Sequence, residues 1–246
     1  MVELRDPQRL SADIAETQRR FPGPIYYQVL AAVHAHLRPA NYVEIGVDQG
    51  ISLAQALPET PCIGVDPEPK LDRDLPNARI YELTSDEFFA RYDLTELLDG
   101  PVALAFIDGL HLFEQVLADF IGLEAHAAPN TVVLLHDCIP LDEETASRER
   151  TTDFYSGDVW KATMAINDHR PDLDMVIVPT LPTGLCIVRG LDRRSRALAD
   201  ALPEIVAEYR DLGFDHYTAH QAEMPERIAN TERDLHVWLD RSRTSG

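Results

Sequence analysis

The stretch Asn41 to Asp66, NYVEIGVDQGISLAQALPETPCIGVD, decides the fold. Its apolar run over Tyr42 to Ile45 predicts a buried strand, and Gly46 to Gly50 a glycine turn. Ile51 to Leu57 then reads as an apolar helix, and Cys62 to Asp66 as a second strand ending in an acid. Together these make a βαβ unit of the nucleotide-binding kind. Gly46 and Gly50 carry no Cβ to hold a nucleoside off the backbone, and a carboxylate at Asp66 is placed to accept both ribose hydroxyl protons.

The spacing is E-x-G-x-x-x-G, not the G-x-G-x-x-G that seats a dinucleotide pyrophosphate, and an acid, Glu44, stands on the first strand itself. Such a glutamate repels a diphosphate and suits a ligand with a cationic amino acid end. On these residues the chain resembles the class I S-adenosylmethionine-dependent methyltransferases, whose first motif is an acid followed by a glycine-rich turn. The resemblance implies that Glu44 orients the cofactor's amino acid end through water or the turn amides. It also implies that Gly46 and Gly50 let the cofactor approach and that Asp66 holds its ribose.

With 42 acidic against 22 basic residues the formal charge is −20, which disfavours nucleic acid and anionic membrane surfaces as partners and favours small-molecule chemistry. Cys62, Cys138 and Cys186 are widely spaced, so neither a disulfide framework nor a zinc knuckle is indicated. The N-terminal MVELRDPQRLSADIAETQRR lacks an apolar signal core, and no window is long enough to cross a bilayer, so a cytoplasmic protein is expected.

Punctuation at Phe21-Pro22-Gly23-Pro24 separates two early helices, Pro7 to Arg20 and Pro24 to Leu37. After Asp66 the pattern alternates: strand 78–83, helix 85–98, strand 102–107, helix 112–126, strand 131–135. Such alternation, with continuous apolar runs in the strands, means a parallel sheet covered on both faces. A long polar stretch, 137–158, precedes a helix at 159–169, and loops of that length are usually functional or mobile. Gly157 and Asp158 read as turn and N-cap of that helix. Strands 174–178 and 185–189 follow, joined by PTLPTG, a link short enough to make them antiparallel. The expectation is an α/β, three-layer Rossmann-like sandwich with a seven-stranded, mostly parallel sheet and one antiparallel strand. A helical cap (1–37), the cofactor-binding domain (38–190) and a helical C-terminal extension (191–246) divide the chain. The extension reads as helices 194–209 and 225–239, linked by GFDHYTAH, whose His216 and His220 read as incidental residues of a loop.

In an open parallel sheet the ligand lies beyond the carboxyl ends of the strands. The third tip offers Thr84, Ser85 and Asp86. The resemblance places Ser85 at the adenine edge, while the residues alone read it as a helix N-cap. The fourth tip reads IDGLH and the fifth LLHDC, so Asp108, His111, His136 and Asp137 converge on one rim. These tips resemble a subgroup acting on small molecules, often sugars and other natural-product hydroxyls. Methyl transfer to oxygen needs a base, and a histidine titrating near neutrality is suited to it. His111 is the candidate base, with a helix-capping role as its alternative. His136 is the second catalytic candidate, with a structural hydrogen-bonding role as its alternative, and Asp108 is also a cofactor-site candidate. Asp108 and Asp137 are candidate ligands for magnesium or another divalent metal. Metal-dependent relatives place a second acid where this chain has His136, so His136 either points elsewhere or shifts the preference toward a transition metal, with a metal-free, purely histidine-based site as the alternative.

The sequence therefore points to S-adenosylmethionine-dependent methyl transfer to a hydroxyl of a small molecule, with a homodimer as a further expectation. The alternatives are a cofactor-binding member that performs no transfer or catalyses a cyclisation, and, with less support, an NAD-dependent dehydrogenase.

Overall fold

The computed structural model describes residues 6–241. Strands β1 (Tyr42–Ile45), β2 (Cys62–Val65), β3 (Ala78–Tyr81), β4 (Val102–Ile107), β5 (Ala127–His136), β6 (Asp174–Val178), β7 (Leu185–Arg189) and β8 (Glu226–Arg227) form one sheet in the order β3-β2-β1-β4-β5-β7-β6-β8. All pairings are parallel except those of β7, which runs antiparallel to both β5 and β6. This is the expected sandwich with one strand more than expected. The eighth, β8, comes from the stretch read as purely helical and extends the sheet beside β6.

Side chains alternate across the sheet because strand residues point to opposite faces in turn. Val43, Ile45, Ala105, Ile107, Val133 and Leu135 face one buried layer, packed with α5 (Phe113–Glu124), α6 (Trp160–His169) and α7 (Ala197–Tyr209). Tyr42, Leu104, Phe106, Val132 and Leu134 face the other, covered by α2 (Tyr26–Leu37) and α9 (Glu232–Asp240). The first helix, α1 (Pro7–Arg20), straps the long polar loop: Arg9 pairs with Asp142 at 3.0 Å and with Glu144 at 2.5 Å.

Four local readings change. The helix expected over 51–57 is only a 3-10 turn, Leu53–Gln55. Pro58 drives the preceding residue out of helical geometry, and a segment this short cannot sustain a helix. The helix read over 85–98 is two, α3 (Ser85–Arg91) and α4 (Leu94–Leu97), because Asp93 caps a new start by accepting from the Thr95 and Glu96 amides. The GFDHYTAH link contains a helix, α8 (Phe214–Ala219), and its His216 and His220 rings stack at 3.9 Å. Asp158 does not cap α6. It accepts from the Phe113 amide at 3.0 Å and so caps α5 from the far side of the long loop.

Candidate active site

The tips of the first five strands open into one cavity of about 630 Å³. Gly46 and Asp48 line it from the first tip and Asp66 from the second. Thr84, Ser85 and Asp86 belong to the third, Asp108 and His111 to the fourth, and His136 to the fifth.

Gly46 is required by the backbone. Its φ is +88°, and a Cβ there would lie 2.2 Å from the carbonyl oxygen of Asp108, so the first and fourth tips touch through a residue without a side chain. Gly50, at φ +76°, instead abuts Leu71 and Leu75 and does not line the cavity. Asp66 faces the cavity but is partly engaged: one oxygen accepts from the amides of Val47 and Asp48 at 2.8 and 2.9 Å, the other from Glu68 at 2.8 Å. A carboxylate has about four acceptor positions, so a diol can still be bound.

Glu44 is a correction. It follows Tyr42 on the α2 side of β1, is fully buried, and accepts from the Tyr42 hydroxyl at 2.5 Å and the Ser52 hydroxyl at 2.6 Å. Burial pushes its carboxyl up to about 8 against these hydrogen bonds. It does not line the cavity; it props the glycine turn from beneath.

The rim at β4 and β5 is tightly coupled. The parallel register pairs Ile107 with Leu135, so the next residues, Asp108 and His136, stand side by side, with His136 Nδ1 2.9 Å from Asp108 Oδ1. Burial disfavours the imidazolium, yet the carboxylates of Asp108 and Asp137 outweigh it and raise His136 to about 10. The His136 ring stacks on Tyr26 at 4.1 Å. Asp137, at φ +62°, breaks the strand alternation and accepts a hydrogen bond from Thr183. Burial would raise this acid, but His111 and His136 hold it below the usual carboxylate range.

His111 occupies the open side of the same rim. Its Nδ1 lies 3.1 Å from Asp137 Oδ2 and its Nε2 3.8 Å from Asp108 Oδ1, with about a quarter of the side chain exposed. Since Asp158 caps α5, His111 does not serve as that helix's side-chain cap. Its ring lies parallel to Tyr155 at 5.4 Å. Gly157 makes that contact geometrically possible, because a Cβ there would meet the His111 carbonyl at 2.0 Å. Arg148 pins the loop further, bound to both Glu114 oxygens at 2.9 and 2.5 Å and to Asp158 at 2.6 Å. Lys161 is buried against Asp158 and the Arg210 carbonyl, so it does not face an acceptor, and Trp160 is core.

Thr84, not Ser85, is the N-cap of α3, accepting from the Glu87 amide. Ser85 faces the cavity with its hydroxyl accepting from Gln115. Gln115, Asp119, Tyr26, Asp48 and Arg150 also line the cavity and were not singled out from sequence. The signal available was the Gln115–Asp119 pair, polar residues four apart in the apolar run LFEQVLADFIGL, sharing one helix face.

Among the described residues, Asp108, His111 and Asp137 each offer a ligand atom within 4.8 Å of the others, close enough to share one ion. Two carboxylates and an imidazole fit a transition metal better than magnesium, which favours an all-oxygen shell.

Residues 43–138, spanning these tips, match the family model described as "Methyltransferase domain". Over that segment the chain is similar to a methyltransferase domain. Among solved structures, the cofactor-bound Rv0187 from MTB superimposes with a TM-score of 0.52 at 16% identity, over 76% of this chain and 91% of that one. The SAH-bound Podospora anserina methyltransferase PaMTH1 gives 0.50 at 14% identity, over 76% and 89%. No curated protein matches. At these identities the likeness is one of fold: this chain has the Rossmann-like α/β architecture expected from its strand tips. No helix among its described residues is long and apolar enough to cross a membrane.

Proposed function

We propose that the protein transfers a methyl group from S-adenosylmethionine to a hydroxyl of a small molecule. The observation that carries this reading is a single cavity joining Asp66 on one strand tip to His111, beside Asp137, on another. The chain's residues suit such a cofactor: Gly46 leaves bare backbone, and Asp48, Asp66 and Asp108 give the cavity an acidic lining for a sulfonium and an ammonium group. S-adenosylmethionine supplies an electrophilic methyl that needs no activation by the protein.

The chain's task is then to bind, orient and take a proton. Asp66 receives the ribose diol. Asp137 Oδ2 faces Nδ1 at 3.1 Å, and Nε2, on the Asp108 side of the ring, is the nitrogen assigned to take the acceptor's hydroxyl proton as the oxygen attacks. His136, cationic between Asp108 and Asp137, fixes both carboxylates. Its role is to position, so of the two histidines His111 is the base.

A second reading is favoured by the Asp108, His111 and Asp137 grouping. These three would hold a divalent transition metal, which would lower the pKa of a bound hydroxyl. The acceptor is a small hydroxylated molecule on either reading.

Isothermal titration with S-adenosylmethionine tests the proposal. Binding by the wild type that weakens at least about tenfold in Asp66→Ala supports it. No heat with the wild type, or undiminished binding by the variant, overturns it.

A further inference from the structure

The strand β3 ends the sheet on one side, and its Arg79 and Tyr81 stand on the same face because strand side chains alternate. The parallel register sets Arg79 beside Ile63 of β2. Between these strands and the end of α4 lies a cavity of about 330 Å³, with apolar walls from Pro61, Ile63, Pro76, Leu97 and Leu98. It shares no lining residue with the strand-tip cavity. In a chain with 42 acids against 22 bases, it is lined by an arginine and by no acid, so its local charge is opposite to that of the chain.

Two hydrogen-bond donors are left over at this cavity. Arg79 has no carboxylate partner among the described residues; its guanidinium lies over the Tyr81 ring, 4.7 Å from the centroid, and that contact holds it in place. The Tyr81 hydroxyl is buried and has no hydrogen-bond partner among the described residues. Burial raises this phenol, against the neighbouring Arg79, so the hydroxyl keeps its proton and is a donor. A buried hydroxyl left unsatisfied is unfavourable, and a ligand that accepts from it removes that cost.

We propose that this cavity is a second small-molecule site, for a monocarboxylate with a compact apolar body: Arg79 and the Tyr81 hydroxyl bind the carboxylate, and Ile63, Leu97 and Leu98 pack against the body. Apolar walls with a few convergent polar groups are what such sites are made of. The planar fork of a guanidinium matches a carboxylate, and one cation balances one negative charge. A dianionic phosphate would keep a charge unpaired against apolar walls, which disfavours it.

The test is a residue-resolved NMR titration of the full chain at pH 7 with phenylacetate and with its neutral counterpart, phenylacetamide. Phenylacetate should shift the amide signals of Ile63, Arg79, Tyr81 and Leu97 saturably, and the amide should bind at least about tenfold more weakly. Arg79→Gln, at an exposed position, should weaken phenylacetate binding about tenfold or more. Tyr81→Phe should weaken it about threefold or more without lowering the urea midpoint of the ligand-free protein, because the hydroxyl it removes bonds to nothing in the chain. Absence of saturable shifts, shifts confined to the strand tips, equal affinity for the amide, or affinity kept in Arg79→Gln would each overturn the proposal. None of these outcomes bears on the cofactor reading, which concerns the other cavity.

Discussion

His136 Nδ1 lies 2.9 Å from Asp108 Oδ1 and 3.5 Å from Asp137 Oδ1, so one buried imidazole ties the fourth strand tip to the fifth. The geometry follows from register: the parallel pairing of β4 with β5 leaves these residues as immediate neighbours where the strands end. A charged ring flanked by two acids clasps the sheet and leaves the cluster with a net negative charge, in keeping with the acidic lining of the cavity.

This clasp makes stability depend on pH. Raised from 6.5 to about 10, His136 keeps in the folded state a proton that the unfolded chain loses. Its contribution is therefore complete below pH 6.5 and is lost as pH rises toward 10, by a few kcal/mol at most. His136→Gln should be less stable than wild type at pH 6, with the gap narrowing by pH 10. Urea midpoints at pH 6, 8 and 10 check this, and a gap that does not narrow would contradict the ion-pair assignment.

Glu44 behaves in the opposite way for an acid. Its folded pKa of about 8 exceeds the ordinary 4.5, so between those values the folded state binds the extra proton, and wild-type stability falls as pH rises. Glu44→Gln removes the titration while keeping one acceptor oxygen and offering its amide N–H to the other hydroxyl. It should match the wild type near pH 4.5 and exceed it by about 2 kcal/mol or more at pH 8. Melting temperatures across this range provide the measurement. Because Glu44 lies beneath the turn, S-adenosylhomocysteine affinity at pH 7 should change by less than about threefold.

The strand tips were legible because a parallel sheet puts chemistry at one edge, and Asp66, Asp108, His111, His136 and Asp137 could be placed there from spacing alone. What failed was information carried by distant contacts. Asp158 looks like a cap for the helix that follows it, yet it caps α5, a partner no local window includes. Glu44 stands on the first strand as expected, but strand alternation turns it toward Tyr42 and away from the cavity. Asp119 was hidden because an acid on an amphipathic helix ordinarily marks its wet face, and only the packing of α3 against α5 reveals a buried one. The shortened helix after Gly50 was readable in retrospect from Pro58.

Gly46 gives a sharper test of the turn. Any side chain there combines a φ of +88° with a 2.2 Å approach to the Asp108 carbonyl, so the first and fourth tips must separate. Gly46→Ala should cost about 3 kcal/mol or more in urea unfolding, and where it still folds it should weaken cofactor binding. Gly50→Ala meets only flexible leucine ends at 3.0 Å, with its strain at φ +76° the main penalty, and should cost less. Equal losses would contradict the assigned backbone contact.

His111 separates the two readings of the rim. As a base with Nε2 toward the acceptor, its replacement in His111→Asn should lower kcat by about 10²- to 10⁴-fold while leaving S-adenosylhomocysteine affinity within about threefold, since the ring touches the acceptor and not the nucleoside. Prior dialysis against a chelator should then leave wild-type activity intact. As one of three metal ligands with Asp108 and Asp137, the same residue should govern metal content: the wild type should bind about one equivalent of manganese or zinc in equilibrium dialysis, and His111→Asn and Asp137→Asn should both lose it. Chelation should then abolish activity, with recovery on adding back metal. The pair of measurements is decisive because Asp137 serves both schemes but in different ways, orienting an imidazole in one and ligating an ion in the other, and only the second makes dialysed wild type resemble the Asp137→Asn variant.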